Sequence, residues 1–167
     1  MSKKIFIING SGGVGKDTFC EKCGHYTKVK VISSIDLVKE YASKMGWTGS
    51  KTPRDRKFLS DLKDLLTEYN DYPFRDIYQK VLLFKDSDVD DNEILFIHIR
   101  EPEEIERAKN EFGAHTVLVV NDNVLGIYSN HADGRVLEYD YDDVIDNSGT
   151  LEELEREAER FVERWNR

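Results

Sequence analysis

The sequence predicts a three-layer α/β domain in which a five-stranded parallel sheet is covered by helices on both faces. Short, uninterrupted apolar runs alternate with amphipathic helical segments along the chain, and such runs are typical of parallel strands buried on both faces. The first run also breaks into glycines and reopens as a helix, an arrangement that suits anion binding. A chain of 167 residues has the length of one domain, so we expect a single domain over 1–167.

The first half of the chain contains two of the predicted strands and four of the predicted helices. The strands are expected at 5–8 and 29–32. The helices are expected at 16–26, at 35–44 after the capping serines 33 and 34, along the apolar face of Phe58, Leu62, Leu65, Leu66 and Tyr69, and from Pro73 along Ile77, Val81 and Leu82. Glycines and a proline between 46 and 55 predict a loop.

The second half predicts three strands and two helices, with strands at 94–99, 116–120 and 144–145. Proline at 102 and the acids behind it predict a helix to about Phe112. A last helix is expected after the capping Thr150, along Leu151, Leu154, Ala158, Phe161, Val162 and Trp165. The segment 121–140 lacks periodicity, and we interpret it as a mobile lid because compact domains seldom keep such a segment without a function.

The glycine-rich segment after the first strand predicts a phosphate-binding loop. Its residues are Gly10, Ser11, Gly12, Gly13, Val14, Gly15, Lys16, Asp17 and Thr18. A Gly-x-x-x-x-Gly-Lys loop between a strand and a helix turns backbone N–H groups around an anion, while the lysine reaches the outer phosphates. The following helix adds the partial positive charge of its N-terminus. A merely flexible glycine turn is the alternative interpretation.

Asp17 occupies the position after the lysine, where such loops normally carry a serine or threonine hydroxyl that binds Mg²⁺. A carboxylate is a hard oxygen ligand and is favourable at a helix N-terminus. Asp17 and the neighbouring Thr18 are therefore the candidate metal ligands. Without a metal ion, the carboxylate would repel the phosphates.

The charge balance excludes general nucleic-acid binding. The chain has 24 Lys and Arg against 33 Asp and Glu, a formal net charge of -9, whereas nucleic-acid binding requires a basic face. Any anionic ligand must therefore meet a local concentration of positive charge. No stretch approaches 18 apolar residues, so we expect a cytoplasmic protein without membrane association.

Cys20 and Cys23 form an isolated Cys-x-x-Cys. This spacing could indicate redox or metal chemistry. Because no second pair accompanies it, we favour two free thiols.

The chain resembles P-loop kinases of small phosphorylated molecules, the group of nucleoside monophosphate kinases and dephospho-coenzyme A kinase. The Gly-Lys-Asp-Thr at 15–18 is most similar to the deoxynucleoside monophosphate kinases, and Arg-Glu-Pro at 100–102 and the segment 145–151 follow the family pattern. The resemblance implies an adenylate-kinase-like sheet, ATP and Mg²⁺ at the loop, and closure by the lid. It also implies that helices within about 34–85 hold the acceptor.

Arg100 is the best candidate for binding the acceptor phosphate, because it follows the third strand at the edge of the sheet where the loop lies. An ion pair with Glu103 or Glu104 is the alternative. Arg54 and Arg56 lie where similar kinases bind the acceptor, although a solvated helix face explains either equally well. Asp36, in the first turn of the second helix, could hold an acceptor hydroxyl or a base edge, or complement the helix dipole.

Two further residues are candidates by resemblance. Arg135, the one arginine of the lid, would neutralise the transferring phosphoryl group. Asn147 belongs to a turn similar to the one whose backbone meets adenine, and a turn with a helix cap is the alternative. His98, inside an apolar strand, is expected to be a hydrogen-bonded core residue rather than a catalytic base.

The leading hypothesis is an ATP-dependent, Mg²⁺-requiring kinase of a small phosphorylated acceptor, with a nucleoside or deoxynucleoside monophosphate as the expected acceptor. In this hypothesis Lys16 neutralises the outer phosphates of ATP. Two alternatives are open. One is a nucleotide-binding regulatory protein without transfer activity, and the other is a kinase of another phosphorylated metabolite such as dephospho-coenzyme A.

Overall fold

The computed structural model describes residues 3–124 and 135–166 and contains one five-stranded sheet. The strands are β1 (Lys4–Asn9), β2 (Val29–Ser33), β3 (Ile94–His98), β4 (His115–Val120) and β5 (Asp143–Asp146). Every neighbouring pair is parallel. The predicted five-stranded parallel sheet is therefore confirmed.

Six α-helices accompany the sheet within the described residues. They are α1 (Lys16–Cys23), α2 (Asp36–Lys44), α3 (Pro53–Asn70), α4 (Tyr72–Lys85), α5 (Pro102–Phe112) and α6 (Leu151–Trp165), with a short 3₁₀ helix at Val136–Glu138. Thr52 begins α3 with a reciprocal capping box, in which its hydroxyl and the Asp55 carboxylate each accept from the other's backbone N–H. Thr150 caps α6 as predicted, accepting from the backbone N–H of Glu153.

The strand order β2-β3-β1-β4-β5 places β1 at the centre of the sheet. The loop that leaves β1 therefore lies between the ends of β3 and β4. Because all strands are parallel, their carboxyl ends meet at one edge, which is where ligands bind in open α/β sheets.

The side chains of β1 alternate between the two faces of the sheet and pack in two separate hydrophobic cores. Phe6 points to the face covered by α1 and α6, where it packs against Phe161 in a tilted arrangement with ring centroids 4.8 Å apart. Ile7 points to the opposite face, covered by α4 and α5, where Ile77 and Ile105 are buried. Burial on both faces explains why the strands carry uninterrupted apolar runs.

The predicted apolar face of α3 is wrong in part. Phe58, Leu65 and Tyr69 are 39%, 62% and 82% exposed. The buried row is instead Leu59 with the partly buried Leu62 and Leu66, packed in a third, small cluster against α2. The cause is that α3 packs on α2 and α4, so one narrow row of side chains is covered. Leu82 of α4 and Leu151 of α6 are likewise exposed.

The two thiols are buried in the core on α1. Burial, followed by the nearby Glu155, raises the pKa of Cys23 to about 12, and burial also raises the pKa of Cys20. Thiolates react and thiols do not. Cys20 and Cys23 are thus unreactive free thiols, which agrees with the prediction from the sequence.

We expect neither cysteine to react with a thiol-specific disulfide reagent in the native protein at pH 8, and both to react in denaturant. The reason is that burial keeps the reagent away from the thiols and disfavours the thiolate form that reacts. Spectrophotometric thiol titration with and without urea checks this. Rapid native labelling of either thiol would contradict the buried placement.

Half of the predicted lid falls outside the described residues, which include 121–124 and 135–140 of it. Asp122 N–H donates to the Ser148 hydroxyl at 2.9 Å, so the first residues of this segment lie beside the turn before α6. Among the helices that the structure describes, none combines the length and the apolar character that crossing a bilayer requires.

Candidate active site

The loop after β1 needs glycine for two different reasons. Gly15 has a φ of 94°, a left-handed backbone conformation that residues with a side chain rarely adopt. Gly10 is required by close packing, since a Cβ there would lie 2.5 Å from the carbonyl oxygen of Val119 and 2.8 Å from Val14 Cγ2. The loop is therefore seated against β4, and its binding of phosphate stays a prediction.

Asn147 closes the other side of this loop. Its Nδ2 donates to the carbonyl of Val14 at 2.8 Å, and its backbone N–H donates to the carbonyl of Val120 at 2.7 Å. A Cβ on Gly15 would lie 2.5 Å from Asn147 Nδ2. The turn predicted to meet adenine thus lies in contact with the loop, and its role in nucleotide binding stays a prediction.

Lys16 is the first residue of α1 and folds back over the loop. Its Nζ donates to the carbonyl of Gly10 at 2.7 Å. The same side chain lines a cavity, so its charge lies where the loop meets this cavity.

This cavity has a volume of about 460 Å³ and lies between the carboxyl ends of β2 and β3, α2 and α3. Its basic lining residues are Lys16, Lys39, Lys51, Arg56, Lys63 and Arg100. Its acidic lining residues are Asp17, Asp36 and Glu101. An excess of positive charge in a chain with a net charge of -9 is the local concentration that an anionic ligand requires.

The charged residues predicted for the site divide into two groups. Asp36, Arg56 and Arg100 line the cavity together with Lys16 and Asp17. Arg54 is exposed on α3. Neither Arg54 nor Arg135 is among the described residues that line the cavity. The roles predicted for both groups stay predictions, but the geometry favours the first group.

Arg135 is engaged by acidic side chains in this structure. Its guanidinium bonds to both carboxylate oxygens of Glu103, at 2.9 and 2.6 Å, and to Glu138 at 2.9 Å. These partners raise the pKa of an already basic group, with Glu103 as the largest cause. A catalytic role would require Arg135 to exchange Glu103 for phosphate.

Asp36 helps to build the turn between β2 and α2. Its Oδ2 accepts from the backbone N–H of Ser33 at 2.8 Å. The carboxylate also lines the cavity, and its role towards an acceptor hydroxyl or base edge stays a prediction.

Sequence reasoning missed Lys63, whose side chain is 13% exposed. Lys63 Nζ donates to Glu104 at 2.6 Å and to the Ser34 hydroxyl at 3.3 Å, which ties α3 to α5 and to the end of β2. The signal was present in the spacing, because Arg56, Ser60 and Lys63 recur at intervals of four and three and share one helical face.

His98, expected in the core, instead lines the cavity at the end of β3. Its Nε2 lies 3.4 Å from Asp17 Oδ1. The same atom is buried and makes no hydrogen bond within the described residues. Burial, followed by the charge of Lys16, lowers the pKa of His98 to about 4, so the ring is neutral at pH 7.

Because His98 is neutral in the folded protein, we expect the free energy of unfolding to fall in acid. The unfolded chain protonates this residue near its ordinary pKa of about 6.5, whereas the folded chain resists protonation down to about 4, so the unfolded state binds more protons in between. Stability from this residue is complete above pH 6.5 and falls as the pH approaches 4.

We expect acidification from pH 7.5 to 5 to cost the wild type about 2 kcal/mol more than His98→Gln, as the two pKa values of His98 require. Urea unfolding of both proteins at the two pH values measures the difference. An equal loss in both proteins would contradict the buried neutral ring.

The residues at the loop fit a magnesium ion bound together with nucleotide. The Asp17 side chain is 95% exposed in the first turn of α1, with Thr18 beside it. Within residues 3–124 and 135–166, no group of three or more His, Cys, Asp or Glu could hold a metal ion. Mg²⁺ would therefore need phosphate oxygens and water besides one or two protein oxygens, which is its usual coordination in kinases.

Comparison with protein-family models and with curated protein sequences gave no match. Solved structures do resemble the chain. TT1252 from Thermus thermophilus is 16% identical with a TM-score of 0.55, over 98% of each chain. A candidate kinase from Chloroflexus aurantiacus J-10-fl is 11% identical with a TM-score of 0.54, over 98% of this chain and 97% of that one. Together with the sheet described above, these similarities lead to one conclusion: the chain has a three-layer α/β fold that it shares with these two proteins.

Proposed function

We propose that this protein transfers the γ-phosphoryl group of ATP to a small phosphorylated acceptor. The observation that carries the proposal is the basic cavity beside the phosphate-binding loop. Phosphoryl transfer requires two anionic substrates to be aligned and their charge neutralised, with little covalent chemistry by the protein. A glycine cradle next to a cavity with more basic than acidic side chains supplies both conditions.

The chain's residues divide the work between donor and acceptor. The loop would bind the ATP phosphates through backbone N–H groups, with Lys16 neutralising the outer phosphates. Asp17 and Thr18 would hold Mg²⁺, which supplies further charge neutralisation when bound. Arg56 and Arg100 would bind and orient the acceptor phosphate, since a guanidinium fork matches two phosphate oxygens.

A nucleoside or deoxynucleoside monophosphate is the acceptor that we favour. Trp47 lines the cavity together with the apolar Ile35 and Leu59, and an indole ring in such a wall suits stacking on a base. Asp36 is placed to accept a hydrogen bond from a base edge or a sugar hydroxyl. The volume of about 460 Å³ is within the range of small-molecule sites.

A coupled assay for ADP across ribo- and deoxyribonucleoside monophosphates and dephospho-coenzyme A tests the proposal. We expect ADP formation that depends on at least one acceptor. In Arg56→Ala, we expect the KM for that acceptor to rise about 10-fold, the loss of one charged hydrogen bond, with the KM for ATP unchanged.

Arg160→Ala is the matched control, because Arg160 is an exposed arginine of α6 paired with Glu157. It removes the same charge outside the cavity and should behave as the wild type. ADP formation that no acceptor increases would contradict the proposal.

A regulatory nucleotide-binding protein without transfer activity is the second candidate, favoured by Asp17 at the position of the usual hydroxyl. Asp17→Ser discriminates between the two functions. Improved Mg²⁺-ATP turnover would indicate a degenerate site, whereas lost turnover would support a working carboxylate.

A further inference from the structure

We propose that His98 is a positioning residue for Asp17, with its Nε2–H donating to the Asp17 carboxylate so that the pair replaces the hydroxyl usual at this loop position. The inference rests on the proposed function, because it assigns Asp17 a working role towards Mg²⁺-ATP. It explains why a carboxylate is tolerated beside bound phosphates.

His98 is anchored more firmly than its partner. β3 lies between β1 and β2, and His98 is in register with Ile8 on one side and Ser33 on the other. Its carbonyl also accepts from the backbone N–H of Ser34 at 2.9 Å. The backbone that carries the imidazole is thus held by both neighbouring strands.

Asp17 has the opposite character. Its side chain is 95% exposed, against 15% for His98. A carboxylate in open solvent has several rotamers, and those that turn towards the loop bring negative charge to the phosphates. A fixed donor at one oxygen would select the rotamer in which the other oxygen is free for a metal ion.

The hydrogen-bonding capacity of His98 points to the same pairing. Nε2 is buried and makes no hydrogen bond to any residue of 3–124 or 135–166, although buried polar atoms are normally satisfied. The nearby carboxylate oxygen lies at 3.4 Å, just beyond the N–H···O range of about 2.7–3.2 Å. A small rotation of the exposed Asp17 side chain would complete the bond.

Calorimetric titration with ATP, once with Mg²⁺ and once with EDTA, tests the inference without relying on turnover. In His98→Ala, we expect Mg²⁺-ATP to bind about 10-fold more weakly, the usual effect of removing an outer partner of a metal ligand. Binding of metal-free ATP should not change. His98→Gln should restore most of the affinity, because its amide N–H reaches the position of Nε2.

Two further variants isolate the pairing. His25→Ala, at an exposed histidine paired with Glu155, should bind Mg²⁺-ATP as the wild type does. On an Asp17→Asn background, His98→Ala should cause no additional loss, because the two residues act as one unit. Thermal unfolding of each variant establishes that it is folded before titration.

The results separate this inference from the proposed function. If the wild type binds Mg²⁺-ATP and both His98 variants bind it equally well, the inference is overturned and the proposed function stands. Equal weakening with and without Mg²⁺, or additive losses with Asp17→Asn, also overturns it. If the wild type binds no ATP, the proposed function fails and the inference fails with it.

Discussion

Lys16→Ala is expected to lower kcat for phosphoryl transfer by about 10²–10³-fold, the usual cost of removing one preorganised donor from developing charge. Lys16 is the first residue of α1 and reaches from the loop into the cavity. Its ammonium group would shift from the Gly10 carbonyl, 2.7 Å away, to the phosphates. The charge on those oxygens grows and redistributes during transfer, so kcat should fall more than the affinity for ATP.

Steady-state kinetics at saturating ATP and acceptor measure this effect. Lys44→Ala is the matched control, because Lys44 ends α2 with its side chain 67% exposed and 4.0 Å from Glu40. Circular dichroism and thermal unfolding should show both variants folded. A folded Lys16→Ala protein with kcat within threefold of the wild type would contradict the role given to the loop.

Arg100→Ala is expected to raise the KM for the acceptor by about 10- to 100-fold, since hydrogen bonds to charged groups contribute about 1.5–3 kcal/mol. The guanidinium lines the cavity just after β3. The backbone at this position is held independently of the side chain, because Asn9 Nδ2 donates to the Arg100 carbonyl at 3.2 Å. Truncation should therefore remove acceptor binding without moving the strand end.

Initial rates over a range of acceptor concentrations measure the change. Arg100→Lys should recover part of the affinity, because it retains the charge and loses the planar fork. Arg160→Ala again supplies the charge-matched control on α6. An unchanged acceptor KM in Arg100→Ala would assign the acceptor phosphate to other side chains.

The sheet and the loop were predictable because their signals are local. A strand buried on both faces needs consecutive apolar residues, and β1 and β3 carry them. The loop needs glycine where no Cβ fits, as at Gly10 and Gly15, so its spacing is visible in the chain. The start of α6 was also predictable, since Thr150 acts through a contact three residues away. The start of α3 was not, because that helix begins at Pro53, inside the segment 46–55 that was predicted to be a loop.

The walls of the cavity were harder to predict because they depend on packing between distant segments. Phe58, Leu65 and Tyr69 have helical spacing like that of a buried face, but α3 covers a different row, centred on Leu59. No local feature of the sequence indicates which of the two apolar rows packs against α2. The position of α3 in turn decides that Arg56 and Lys63 line the cavity and that Arg54 does not.

His98 shows the same limit at a single position. A histidine within an apolar run is predicted to be a core residue, and residues 94–98 do form a buried strand. Its approach to Asp17 depends on its being the last residue of β3, where the imidazole meets the first turn of α1. Sequence periodicity does not resolve the end of a strand to one residue, so the contact became visible with the structure.

The most direct test of the central claim is to follow labelled phosphorus from [γ-³²P]ATP after incubation with the protein, Mg²⁺ and the preferred acceptor. We predict label on the acceptor in equal amount to the ADP formed, and about 10²–10³-fold less label on the acceptor with Lys16→Ala over the same time. Label found solely in inorganic phosphate, or remaining in ATP that is demonstrably bound, would contradict phosphoryl transfer.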